Sequence, residues 1–194
     1  MKKTIETAGW VLLIVIATWL AIAYDSQIFS AVRGLQSPAL DQVMLLITSI
    51  ATIYIGVPII LLILYFTNRK KILWDLATAL VIGVLIALFL KMVIARPRPE
   101  DIANAGFLLS ASMSSFPSDH AAIAFIVFGV IGHHAKKYRL WFYLLAFLIA
   151  VSRVYLGVHY PTDVVAGAFL GIAVCQIVLT YRLGERLKKA VRRN

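Results

Sequence analysis

The chain has 194 residues, 61% of them apolar and 14% charged, with a mean hydropathy of +0.89. Soluble domains carry charge on about a quarter of their residues, so these values exclude a soluble globular domain, a disordered chain and a fibrous repeat. A membrane span takes about 20 apolar residues, which leaves room for roughly six or seven helices and no large soluble domain. The single Cys175 excludes an internal disulfide, and no metal-ligand spacing surrounds it.

Apolar runs fall at residues 8–24, 40–66, 72–94, 118–133, 140–158 and 162–181. They are continuous rather than alternating, which predicts helices and not barrel strands. The expected architecture is an all-α membrane protein, a six-transmembrane-helix bundle forming one domain over residues 1–194. The first run follows Lys2 and Lys3 and ends in small residues, Ala21-Ile22-Ala23, so it also fits a cleavable leader. The later spans favour an anchor. The second run is long, with Gly56 and Pro58 as expected bends. Asp75 is expected in the first turn of the third, where a carboxylate suits the helix dipole. A more polar stretch, residues 95–117, precedes the fourth run and is expected to act as a lid. His133 and His134, next to Lys136, read as a solvated pair. Pro161 suits the first turn of the sixth helix. Gly167 and Gly171 within that helix suit close packing in the bundle. Residues 182–194 form a basic, amphipathic tail expected on a lipid surface.

The net charge of +10 is a topology signal. With the N-terminus inside, six spans place both termini and most basic residues in the cytoplasm, as the positive-inside rule requires. Of the 19 basic residues, only Arg33, Lys91, Arg96, Arg98 and Arg153 fall at the outer ends of the spans. Splitting the remainder among short loops and a membrane-adjacent tail disfavours nucleic acid as a partner. Anionic lipid fits better.

The outer end is the unusual one. Arg33 and Asp41 read as a snorkelling side chain and a helix cap, but Lys91, Arg96, Arg98 and Arg153 are accompanied by Ser118, Asp119, His120, Ser152, His159 and Asp163. Ionisable groups at membrane depth are costly and mark a site. Fixed cations suit a multiply charged anion such as phosphate. Ser118, Asp119 and His120 open a helix after Pro117, and a helix start offers free N–H groups to phosphate oxygens. His159 and Asp163 are four apart, on one face if the helix has begun. A carboxylate there would hold the imidazole in one tautomer and leave the other nitrogen as nucleophile. His120 could supply a proton to a leaving oxygen. The set reads as phosphoryl transfer through histidine.

Three motifs sharpen that reading. Lys91 is followed after six residues by Arg98-Pro99; Pro117-Ser118-Asp119-His120 comes next; Ser152-Arg153 is then followed by His159 and Asp163. This arrangement, across residues 91–163, resembles the signature of the type 2 phosphatidic acid phosphatase superfamily. The resemblance implies that His159 is the nucleophile, Asp163 its orienting carboxylate and His120 the acid and then the base. Lys91, Arg98, Ser118, Asp119 and Arg153 would bind the phosphoryl group, the last two of the middle motif through backbone amides. Ser152 and Arg96 would stand behind them. Glu100 and Asp101 could contact a head group or be solvated, and Tyr155 and Tyr160 could line the mouth. Asp119 departs from the usual Gly, and its carboxylate would repel phosphate unless it meets a cation. The Asp form is similar to bacterial undecaprenyl-diphosphatase members of the superfamily.

The implied function is hydrolysis of a polyprenyl diphosphate at the non-cytoplasmic face of the cell membrane, with no metal and no cofactor. The alternatives are a phosphatase for phosphatidylglycerol phosphate, phosphatidate or lipid A phosphate, and a lipid phosphotransferase. A lipid-binding or transport protein without catalysis is the reading from a different class. The presence of both histidines disfavours it.

Overall fold

The structure is a computed structural model that describes residues 20, 22–49, 55–99 and 114–191. Most of the first expected span with its leader alternative, Glu100 and Asp101, and most of the expected lid lie outside the described residues. The described residues are helical, without strands. In chain order they form α1 (Asp25–Arg33), α2 (Pro38–Thr48), α3 (Gly56–Phe66), α4 (Lys70–Ile94), α5 (Asp119–His134), α6 (Arg139–Tyr155), α7 (Pro161–Thr180) and α8 (Leu183–Val191), with a 3₁₀ turn Lys136–Tyr138 before α6.

Three helical stretches are long and apolar enough to cross a membrane: Lys70–Ile94, Lys136–Tyr155 and Pro161–Thr180. Their exposed side chains, such as Leu85, Phe89, Met92 and Phe147, suit hydrocarbon rather than water. The second expected span is not one bent helix. α2 stops at Thr48, because Ser49 turns to an extended backbone with ψ of 150°, and α3 starts at Gly56. Both are short apolar helices.

α5 is the central helix. Its buried residues lie all round it, including Ala121, Ala124, Ile126, Val127 and Val130, the pattern of a helix enclosed by protein. Ile126, Val127 and Val130 pack with Leu76 and Ala79 of α4 and with Val174, Cys175 and Val178 of α7. Ala124 packs with Ala146 and Ile149 of α6. Gly167 and Gly171 bring α7 against α5 so closely that a Cβ at Gly167 would lie 2.4 Å from the Ser118 carbonyl oxygen. The small residues therefore serve packing within the bundle. They also set the start of α5 against the start of α7.

Several local expectations change. Asp75 is the sixth residue of α4, beyond its first turn; it is buried, and His134 Nε2 lies 3.1 Å from its Oδ2. His134 is thus a partner of Asp75 rather than half of a solvated pair. Tyr155 does not line a mouth. It is buried, donates from its hydroxyl to Asp41 Oδ1 at 2.7 Å and accepts from Ser37 N at 3.1 Å, fastening α6 to the start of α2. Asp41 is therefore a tertiary acceptor, and Arg33 packs over Gly157. α8 rests on the start of α4, where Gly184 is buried against Asp75.

Candidate active site

Three chain segments meet at the end of the bundle formed by the C-terminus of α4, the N-termini of α5 and α7, and the C-terminus of α6. Local sequence explains each. α4 ends at Ile94 with Ala95 in the left-handed conformation, and Pro97 and Pro99 prevent the helix from resuming. α5 begins after Pro117, with Ser118 at the cap position and Asp119 in the first turn. α7 begins with Pro161 in its first turn and Asp163 close behind, where a carboxylate complements the free N–H groups. The loop from α6 to α7 reverses at Gly157, whose φ of +72° suits glycine. Ser118 N donates to Asp163 O at 2.9 Å, which locks the two helix starts together.

His159 sits in that loop and is 2% exposed; Arg153 is 1% exposed and Asp163 fully buried. Asp163 Oδ2 lies 3.6 Å from His159 Nδ1, too far for a direct hydrogen bond. The Ser115 hydroxyl bridges the gap, lying 3.3 Å from Nδ1 and in a short hydrogen bond to Asp163 Oδ2. Tyr160 N also donates to Oδ2, at 2.9 Å. With Nδ1 turned to this acceptor cluster, Nε2 faces Arg98, whose Nη1 is 3.4 Å away and also donates to Val158 O at 3.1 Å. Burial, assisted by Arg153 and Arg98 and opposed by Asp163, pushes the His159 imidazole down to about 4. The ring is therefore neutral at neutral pH, with a lone pair on one nitrogen.

The other predicted residues take different positions. Lys91 Nζ donates to Ser114 O and Pro117 O, both at 2.9 Å, and lies 3.3 Å from Asp119 Oδ2. The Asp119 carboxylate thus meets a cation. The Ser118 hydroxyl is buried with no hydrogen-bond partner among the described residues. His120 is buried and interacts electrostatically with Arg153, His159, Arg98 and Lys91. Arg153 Nη1 donates to Thr48 Oγ1 at 3.0 Å, so α2 helps to hold it. Ser152 is not brought to the group around His159; its hydroxyl turns back to Ile149 O at 2.7 Å within α6. Arg96 does reach the site, with Nη1 2.8 Å from Asp163 Oδ1. Tyr160 lies under it, the guanidinium carbon 4.1 Å from the ring centroid.

Sequence reasoning missed Ser115, Thr48 and Asp25. Ser115 adjoins the Pro117-Ser118-Asp119-His120 motif, and its place in a serine-rich approach was the available signal. Asp25 is a lone carboxylate just after an apolar run, the kind of costly placement that marks a partnered group. Thr48 offered no signal beyond its place in a long apolar run.

A neutral, buried imidazole with one nitrogen toward a carboxylate and the other toward a guanidinium suits attack on a phosphoryl centre. Residues 72–186, more than half of the chain, match the family model described as the PAP2 superfamily. The chain belongs to the PAP2 superfamily. It is 31% identical over 156 residues to an undecaprenyl-diphosphatase of Sulfolobus acidocaldarius, covering 77% of this chain and 74% of that one. It is 33% identical over 182 residues to phosphatidylglycerophosphatase B of Bacillus subtilis, covering 85% of each. Its fold is similar to the crystal structure of a transmembrane PAP2-type phosphatidylglycerolphosphate phosphatase from Bacillus subtilis, with a TM-score of 0.71 and 26% identity over 90% of this chain and 94% of that one.

Proposed function

We propose that the chain hydrolyses a polyprenyl diphosphate of the undecaprenyl kind to the monophosphate, through a phosphoryl group carried on His159. The observation that carries the chemistry is the orientation of His159, with Nδ1 toward Ser115 and Asp163 and Nε2 toward Arg98. In the first step Nε2 bonds to the terminal phosphorus. The bond from that phosphorus to the bridging oxygen breaks, and His120 gives its proton to the departing lipid monophosphate. Asp163 stabilises the imidazolium so formed. In the second step a water oxygen attacks phosphorus, its proton passes to His120, and the N–P bond breaks to release phosphate. Arg98, Arg153, Lys91, the Ser118 hydroxyl and the first amides of α5 balance the charge that develops on the phosphoryl oxygens.

Asp119 at the middle motif and the likeness to the Sulfolobus enzyme support the diphosphate. The second reading, phosphatidylglycerol phosphate, is supported by the likeness to phosphatidylglycerophosphatase B. In this proposal one domain of six spans keeps both termini in the cytoplasm and opens the site beneath the outer leaflet of the cell membrane. Lys91, Arg98 and Arg153 supply the positive charge that metal ions supply in many phosphoryl-transfer enzymes, so activity survives EDTA. The test is phosphate release by detergent-purified protein from undecaprenyl diphosphate, phosphatidylglycerol phosphate and phosphatidate. Preference for the diphosphate is expected, and preference for a glycerolipid selects the second reading. Release from none of the three, or loss in EDTA with recovery on adding magnesium, counts against the mechanism.

A further inference from the structure

We propose that Asp25 and Arg96 are positioning residues for His159: the α1 carboxylate holds the guanidinium, and the guanidinium holds Asp163. The inference rests on the reading of His159 as nucleophile. Neither residue belongs to the three motifs, and Asp25 lies outside the residues matched to the family model. Arg96 Nη2 is 2.6 Å from Asp25 Oδ2, while Nη1 is 2.8 Å from Asp163 Oδ1. Asp25 is itself fixed by the first turn of α7, since Thr162 N donates to its Oδ1 and the Thr162 hydroxyl to its Oδ2, both at 2.9 Å. Tyr160 covers one face of the guanidinium. Arg96 is thus held by two carboxylates and a ring, the geometry in which a planar fork outperforms lysine.

The arrangement sets charge as well as position. A buried carboxylate without a cation is costly, and Asp163 is fully buried. Arg96 alone would meet that cost but would also cancel the charge that must stabilise the imidazolium. One guanidinium shared between two carboxylates leaves a net negative charge beside His159. Loss of Arg96 therefore makes the field at His159 more negative, and loss of Asp25 makes it more positive. The other charged groups facing the ring are Arg98, Arg153 of α6 and His120 of α5, with Lys91 and Asp119 behind them. They stay unchanged in the variants.

The experiment measures kcat and KM for phosphate release by the full chain in detergent across the acid limb of the pH profile. Undecaprenyl diphosphate and phosphatidylglycerol phosphate both serve as substrates, and His159→Ala is run in parallel. Arg96→Gln is expected to lower kcat roughly 10–100-fold with KM changed less than about threefold. Its acid limb moves to higher pH, because a more negative field favours protonated His159. Arg96→Lys recovers part of the loss. Asp25→Asn lowers kcat and moves the limb to lower pH. A purely structural role would give no opposed shifts. Limbs that stay in place, or move together, in variants that still melt cooperatively overturn the proposal. If Asp25→Asn unfolds, the Arg96 pair decides: the limb must rise in the Gln variant and stay near the wild-type position in the Lys variant, which keeps the positive charge. An inactive His159→Ala with unmoved limbs removes only the positioning roles. An active His159→Ala removes the nucleophile reading and this inference with it.

Discussion

Two carboxylate–imidazole pairs sit at opposite ends of the same bundle. α4 carries Asp75 near its start and Lys91 near its end, about 24 Å of helical rise apart. At the first end His134 Nε2 lies 3.1 Å from Asp75 Oδ2. Basic residues are numerous at that end too, and one of them, Lys71, lies with Nζ 3.4 Å from Glu185 Oε1. At the second end His159 and Asp163 face Arg98 and Arg153, with Lys91 nearby. The imidazoles also differ in direction. His134 directs Nε2 at its carboxylate, whereas His159 directs Nδ1 at Asp163 and turns Nε2 to a guanidinium. A carboxylate beside a histidine is therefore no site by itself. What sets the His159 pair apart from one that joins two helices is that the nitrogen turned away from the carboxylate faces Arg98, with Arg153 close by.

The sharpest way to break this contrast is to delete each imidazole in turn. His159→Ala is expected to reduce phosphate release on the order of 10³-fold or more, as for loss of a member of a catalytic unit. His134→Ala should leave kcat/KM within about twofold and instead lower the thermal midpoint, since it strands the buried Asp75, a loss of about 1–3 kcal/mol. Equal losses of activity in the two variants would dissolve the distinction. Acid sharpens it further. With His159 pushed down to about 4, activity should hold from neutral pH to about 5 and then fall about tenfold per pH unit below 4. The same shift has a stability consequence. Between the ordinary histidine value of 6.5 and about 4, the unfolded chain binds a proton that the folded one refuses. The contribution of His159 to stability is therefore complete above 6.5 and declines as pH falls through that window. Chemical denaturation at a series of pH values, comparing wild type with His159→Ala, reads this directly.

The difference between the ends also explains what could be read from sequence. The cations and histidines of the candidate site stand out because each is costly in an apolar run, so their presence marks a candidate functional site. Lys91, Arg98, His120, Arg153, His159 and Asp163 were all visible on that ground, and the order of the motifs tied them together. Ser115 carries no such cost. Its importance comes from a 3.3 Å approach to His159 Nδ1 across 44 positions of sequence, which only tertiary packing creates. Asp25 depends on Arg96 and Thr162 in the same way. The helical class and the packing role of Gly167 and Gly171 followed from composition and spacing. The interruption after Thr48 did not, because its marks in the sequence, Thr48, Ser49 and Thr52, are small hydroxyl side chains that barely lower the hydropathy of a long apolar run. Asp75 was misplaced because α4 begins at Lys70, which puts the carboxylate inside the bundle rather than at a helix start.

The smallest effect belongs to the junction of α8 with the first end. Gly184 is buried, and a Cβ there would lie 2.4 Å from Asp75 Oδ1, 2.7 Å from its N and 2.8 Å from its Cα. Two of those atoms are backbone and cannot turn aside. The methyl group of Gly184→Ala must therefore lift α8 from α4 or displace Asp75 from His134. Overpacking of this kind typically costs about 1–3 kcal/mol, partly offset by the better helix propensity of alanine, about 1 kcal/mol. The net expectation is a fall of a few degrees at most in the thermal midpoint, together with faster proteolysis after Arg186 and Lys188 in α8. Phosphate release should stay within about twofold, because Lys91 lies near the other end of α4 from Asp75, with Asp119 of α5 beside it there. A loss of activity larger than the loss of stability would mean that the two ends are coupled through α4. The Asp75–His134 pair would then have to be counted with the machinery of the site.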